Sequence, residues 1–69
     1  MTKYEIIIYW SGDDNVFIAQ IPELKGCIAH GGTPAEALKE VDIMAEEWLM
    51  LAKENGWQIP EPKGRLLYA

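Results

Sequence analysis

The residues best suited to catalysis or metal binding lie close together in the stretch PELKGCIAHGGTPAEAL, residues 22–38. It contains the single cysteine of the chain, Cys27, and its single histidine, His30. A thiol and an imidazole within hydrogen-bond reach could act as a nucleophile and its base, and both side chains are ligands of zinc. The spacing therefore raises two hypotheses, a catalytic pair and a metal site.

Geometry and ligand count weigh against both hypotheses. Residues three apart in a strand point to opposite faces of a sheet, so a catalytic pair would need the strand to break between Cys27 and His30. A structural zinc site takes four ligands, so a metal site would have to be shared across a symmetry axis. We therefore expect no catalytic, cofactor or metal residues. Cys27 is predicted to be a small buried apolar side chain, and His30 an exposed residue that could contact a partner.

The elements that must position these residues follow from local patterns. Runs of β-branched and aromatic residues predict strands at residues 3–10 and 16–21 and a short third strand at 27–30. Pro22 cannot donate to a sheet ladder, so pairing should stop there. Gly31 and Gly32 are predicted to end the third strand and reverse the chain. A last apolar run predicts a short fourth strand at residues 65–69.

A helix start follows the glycines. Thr33 is a good N-cap, Pro34 suits the first helical position, and Glu36 completes a capping box. The helix is predicted to run to about residue 54, with Asn55 and Gly56 as a left-handed stop.

The helix has two distinct faces. One wide apolar stripe, predicted to pack on the sheet, comprises Ala37, Leu38, Val41, Met44, Ala45, Trp48, Leu49 and Ala52. The opposite face is charged, but Ile43 and Met50 interrupt it. These two residues, the neighbouring Glu47 and His30 are the candidate partner-binding residues.

Composition limits the class of protein. A chain of 69 residues is expected to be a single domain, 1–69, and one cysteine cannot form an internal disulfide. The net charge of −5 argues against nucleic-acid binding by this chain alone. No apolar run is long enough to cross a bilayer, and no signal peptide is evident, so a cytoplasmic location is expected. The apolar share of 49%, with apolar residues on both faces of the first strand, predicts a homodimer or higher homo-oligomer.

Residues 16–40, VFIAQIPELKGCIAHGGTPAEALKE, resemble the core signature of the HicB antitoxin family. The matching positions are Phe17, Ala19, Ile21, Pro22, Glu23, Leu24, Gly26, Cys27, Gly31, Thr33, Glu36 and Ala37. An IPEP segment at residues 59–62 also fits. Lys25, Ala29 and Gly32 depart from the common pattern. We assign structural roles to Pro22, Gly26, Cys27, Gly31, Thr33, Glu36 and Trp48.

The resemblance implies an α+β fold of β-β-β-α-β order. In it, a three-stranded antiparallel sheet carries one long helix on one face, as a partial ribonuclease-H-like domain. It also implies a protein without nuclease activity that binds and blocks a HicA-type toxin, a small basic RNA-cleaving protein. An acidic chain suits such a partner electrostatically. Many relatives continue into a DNA-binding domain, and we expect no separate domain of that kind here.

Three functions compete at this point. The leading hypothesis is a HicB-like antitoxin or antitoxin-derived binding module. The second is a stand-alone homo-oligomeric structural or regulatory domain without a toxin. The third is a minimal metal-dependent nuclease, for which the strands and their hairpin offer Glu5, Asp13 and Asp14.

Overall fold

The computed structural model describes residues 2–62. Three strands precede one long helix: β1 is Ile7–Ser11, β2 is Val16–Gln20, β3 is Ile28–Gly31 and α1 is Pro34–Asn55. The strands form an antiparallel sheet of order β1-β2-β3, and α1 packs on one face of it, mainly over β3 and β2. The predicted α+β class, with one helix on a three-stranded sheet, is confirmed. The predicted fourth strand at residues 65–69 lies outside the described residues.

The first strand begins later than predicted, at Ile7 rather than at residue 3. Its ladder with β2 ends where Ile7 faces Gln20. Beyond that point the N–H of Ile21 donates to the carbonyl of Cys27 at 3.0 Å, and Pro22 has no N–H to offer. β2 therefore has no further donor for β1, and the chain before Ile7 is free to leave the sheet.

Because the chain before Ile7 leaves the sheet, the side chain of Tyr4 lies in the core, where it is only 8% exposed. Its hydroxyl donates a hydrogen bond to the carbonyl of Pro60. Burial, and then the nearby carboxylates of Glu23 and Glu61, raise the pKa of Tyr4. The hydroxyl thus stays protonated and able to donate, which ties the segment after the helix to the segment before β1.

The third strand is shifted by one residue from the prediction, to Ile28–Gly31. Cys27 belongs to the preceding loop, because its N–H donates to the carbonyl of Leu24 at 2.9 Å. Gly31 is the last residue of the strand and faces Phe17 of β2, so the strand ends at the two glycines, one residue later than predicted. The reversal into α1 takes place at Gly32 and Thr33.

The ends of α1 follow the local signals. The Thr33 hydroxyl accepts from the N–H of Glu36 at 3.1 Å. The Glu36 carboxylate accepts from the N–H of Gly32 at 2.9 Å, one residue earlier than the usual capping box. At the other end Gly56 is left-handed, with φ 68°, and its N–H donates to the carbonyl of Ala52. Within residues 2–62 no helix is apolar enough over a sufficient length to cross a membrane.

The core lies between α1 and the sheet. Small residues such as Ala19 and Ala37 let the two layers approach closely, and Val41 is fully buried between them. The buried cluster comprises Tyr4, Ala19, Ile21, Leu24, Cys27, Ala37, Val41 and Ala45. The prediction that Met44 packs on the sheet is wrong. Met44 is 38% exposed, because it lines the groove where α1 meets the outer edge of β3.

Candidate partner-binding surfaces

Cys27 and His30 point away from each other. Cys27 is 3% exposed and belongs to the core beneath α1. His30 is exposed and faces Ile18 in the sheet register, on the side away from the helix. The two side chains therefore do not form a pair. Among residues 2–62, no group of three or more His, Cys, Asp and Glu is placed to hold a metal ion.

Burial should make the thiol of Cys27 unreactive in the folded protein. It raises the pKa of the Cys27 thiol, and the thiolate is the reactive form. We expect native protein to react with a disulfide reagent such as Ellman's reagent about 100-fold more slowly than urea-unfolded protein, because reaction must await local opening. The absorbance of the released thiolate measures both rates. Equal rates would show that Cys27 is accessible in the folded protein.

The carboxylates considered for a nuclease do not converge. Glu5 precedes β1, whereas Asp13 and Asp14 lie in the turn that follows it. The five residues of β1 lie between them, which corresponds to a separation of roughly 20 Å for extended chain. Metal ions in a two-metal site lie only about 4 Å apart, so these three side chains do not supply one.

Three of the four candidate partner-binding residues lie on one line along α1. Residues three and four apart share a side of a helix. One such line, here called the acidic stripe, comprises Glu36, Glu40, Ile43, Glu47, Met50 and Glu54. All six residues are exposed, and the two apolar members are 44% (Ile43) and 63% (Met50) exposed. The stripe faces away from the sheet, because the buried residues of α1 lie on the other side of the helix.

His30, the fourth candidate, is not part of this surface. Its side chain lies on the sheet face opposite to α1, here called the open sheet face. The fold therefore separates His30 from the other three candidates, and His30 is instead one of the residues that line a groove between α1 and β3.

A groove adjoins the acidic stripe. It has a volume of about 660 Å³ and lies between α1 and β3, which is an edge strand of the described sheet. The lining residues are Ile28, Ala29, His30, Gly31, Glu36, Lys39, Glu40 and Met44. Sequence reasoning missed this groove, since the position of Met44 and the edge location of β3 both depend on how the layers stack.

The residues assigned structural roles hold the loop and the helix start. Gly26 has φ 82°, a conformation that favours glycine. The Trp48 indole N–H donates to the carbonyl of Lys25 at 2.9 Å, so α1 is tied to the loop between β2 and β3. Pro22 is exposed at the start of that loop.

Comparison with known proteins places this fold in a family. The sequence profile of the UPF0150-like family matches residues 2–60. The chain belongs to the UPF0150-like family. The UPF0150 protein ssl0259 of Synechocystis sp. (strain ATCC 27184 / PCC 6803 / Kazusa) is 39% identical over 58 residues, covering 84% of this chain and 78% of the relative. No solved structure matches this UPF0150-like chain significantly, so the relation to the ribonuclease H fold stays a prediction.

Proposed function

We propose that this UPF0150-like chain is a HicB-like antitoxin module that binds and occludes a small basic RNA-cleaving toxin of the HicA type. The acidic stripe carries the proposal. It is a continuous exposed surface in which carboxylates alternate with Ile43 and Met50, and it faces away from the packed core. The signature in residues 16–40 adds support from the sequence.

The charges of the stripe are available to a partner. Glu40 and Glu47 are exposed, and neither makes a salt bridge with another residue of the described part of the chain. Together with the net charge of −5, they attract a basic protein and speed its association. Ile43 and Met50 supply apolar contact area between the carboxylates, and the flexible thioether of methionine adapts to varied surfaces.

The groove beside the stripe adds a backbone contact. An extended segment of a partner can add to an exposed sheet edge through main-chain hydrogen bonds. β3 offers such an edge, and Glu36 and Glu40 line the groove next to it. A strand of the toxin with basic side chains would thus gain both strand pairing and charge complementarity at one site.

Occlusion follows from the charge of the surfaces involved. A protein that cleaves RNA must hold phosphates with Lys and Arg. The acidic stripe presents carboxylates to those same cations. The module therefore competes with RNA for the catalytic surface of the toxin and needs no chemistry of its own.

The experiment pairs this chain with any small basic protein that a neighbouring gene encodes. We expect co-expression to yield a stable complex and to suppress RNA cleavage by that protein. A variant with both Glu40→Lys and Glu47→Lys should bind about 100-fold more weakly, since each substitution adds a like charge to the interface. Isothermal titration calorimetry measures the affinity.

The matched control carries the same change of charge elsewhere. Asp13→Lys with Asp14→Lys alters the β1–β2 turn and should leave the affinity within about threefold of the wild type, because neither carboxylate belongs to the stripe or lines the groove and salt screens their longer-range effect. Equal losses in both double variants would show that net charge alone drives binding. Failure of every small basic product encoded nearby to form a complex would remove the antitoxin proposal.

A further inference from the structure

The dipeptide Asn55-Gly56 joins the end of α1 to residues 57–62, here called the post-helix segment. An asparagine before a glycine is chemically labile. The backbone nitrogen of the next residue can attack the carbon of the side-chain amide, and a glycine offers that nitrogen with the least crowding. Asn55 is exposed, so water can reach its side chain. The other asparagine of the chain, Asn15, precedes Val16, whose β-branched side chain crowds the nitrogen.

The folded helix end keeps the two reacting groups apart. The side-chain N–H of Asn55 donates to the carbonyl of Leu51 at 2.8 Å, which directs the amide back along the helix. The N–H of Gly56 donates to the carbonyl of Ala52, and the N–H of Trp57 donates to the same carbonyl at 2.8 Å. The nitrogen of Gly56 must lose its proton before it can attack, so the reaction has to wait until the last turn of α1 opens.

Two contacts of the post-helix segment oppose this opening. The ring of Trp57 packs against the ring of Trp48, with 5.9 Å between their centroids. The hydroxyl of the buried Tyr4 donates to the carbonyl of Pro60. Because both contacts hold the segment on the body of the domain, opening of the helix end is coupled to release of the segment.

We propose that Asn55 is a site of spontaneous deamidation, gated by the helix end, and that the reaction releases the post-helix segment irreversibly. Once the turn is open, the deprotonated nitrogen of Gly56 bonds to Cγ of Asn55. The C–N bond of the side-chain amide breaks, and the amide leaves as ammonia with the displaced proton. Water then opens the cyclic imide at either carbonyl, which gives aspartate or isoaspartate. The net change consumes one water, releases one ammonium ion and needs no oxidant or reductant.

The products cannot restore the helix end. A carboxylate has no N–H to donate to the carbonyl of Leu51. It also places a second negative charge beside Glu54, at the negative end of the helix dipole. Isoaspartate lengthens the main chain by one carbon, which displaces Gly56 from its left-handed turn. The site lies at the end of α1 and reacts without any partner, so this proposal is independent of toxin binding.

Peptide mapping of the full chain by mass spectrometry tests the proposal, after incubation at physiological temperature and mildly alkaline pH. Trypsin releases residues 54–63 as one peptide, and the two products are heavier than the parent and separate by chromatography. We expect both products at Asn55 and neither at Asn15. Asn55 should react at least about tenfold faster in urea than in the native protein, because the helix end is then open. Equal rates in the two states, or no product at Asn55 even in urea, overturn the proposal.

Two tyrosine variants test the gate. Tyr4→Phe removes the hydroxyl that donates to Pro60 and should speed deamidation of the native protein about fivefold, the equivalent of one hydrogen bond. Tyr9→Phe removes the same group from an exposed tyrosine on the open sheet face and should leave the rate unchanged. Equal rates in the two variants would show that the contact with Pro60 does not control the helix end.

Two asparagine variants test the consequence. Asn55→Asp mimics the aspartate product and should speed amide hydrogen exchange in the post-helix segment at least about threefold. Asn15→Asp makes the same change of charge in the β1–β2 turn and should leave that exchange unchanged. Hydrogen exchange measured by mass spectrometry compares the two. Exchange that is equally fast in both variants and the wild type would show that deamidation does not release the segment.

Discussion

Replacing Gly31 with alanine should cost about 3 kcal/mol of unfolding free energy, the upper end for overpacking a core. A Cβ at Gly31 would lie 2.6 Å from the backbone nitrogen of Ala37 and 2.8 Å from the carbonyl carbon of Glu36. These atoms belong to the first turn of α1, so only a shift of the whole helix relative to β3 could relieve the contact. A chain of this length has a total stability of roughly 3 to 10 kcal/mol, so the loss is severe.

The neighbouring glycine provides the matched control. A Cβ at Gly32 would meet only the Glu36 carboxylate oxygen, at 3.3 Å, and that flexible side chain can move. We expect Gly32→Ala to stay within about 0.5 kcal/mol of the wild type, as surface substitutions usually do. Urea denaturation followed by far-ultraviolet circular dichroism measures both variants. Equal stability of the two would show that β3 and α1 are not in the close contact described.

Leu24→Ala is expected to cost about 3 kcal/mol, within the range for a leucine truncated in a core. Leu24 is 0% exposed, although it lies in the loop between β2 and β3. Its N–H donates to Ile21 and its carbonyl accepts from Cys27, so the backbone is held in place and cannot collapse around the missing side chain. A cavity should remain beneath α1.

The same substitution on the helix surface is the control. Leu51 is 48% exposed, and Leu51→Ala should change the free energy of unfolding by no more than about 0.5 kcal/mol, since alanine also favours the helix. The two leucine variants are compared by urea denaturation under the same conditions. If Leu24→Ala proved as mild as Leu51→Ala, the loop would not be a part of the core.

Local signals sufficed for the helix. Thr33, Glu36 and Gly56 mark its ends, and each acts on backbone groups within one turn. The sequence thus predicts α1 to within one residue at its end, and the hairpin of β1 and β2 follows from two β-branched and aromatic runs separated by turn residues. The exposure of Ile43 and Met50 also follows from local periodicity, because position on a helix determines the direction of a side chain.

Hydrogen bonds within the loop between β2 and β3 determine where the strands begin and end. The late start of β1 and the one-residue shift of β3 both come from the loop in which Ile21, Leu24 and Cys27 bond to one another. The signature residues mark this loop, but their spacing does not reveal which N–H meets which carbonyl. The pairing of these N–H and carbonyl groups depends on the burial of Leu24 and Tyr4 in the same core, and that burial arises only when the whole chain has folded.

The packing of α1 on the sheet determines which of the candidate partner-binding residues share a surface. Composition and periodicity were enough to predict that His30, Ile43, Glu47 and Met50 are exposed residues of an acidic chain. The tertiary structure placed three of them on the outer side of α1 and His30 on the other side of the sheet. It also left the edge of β3 beside Met44, so that a groove lies next to the acidic stripe. The backbone conformation around a residue determines the direction of its side chain. Which residues from other elements lie next to it depends on which faces of the helix and the sheet are buried against each other in the core.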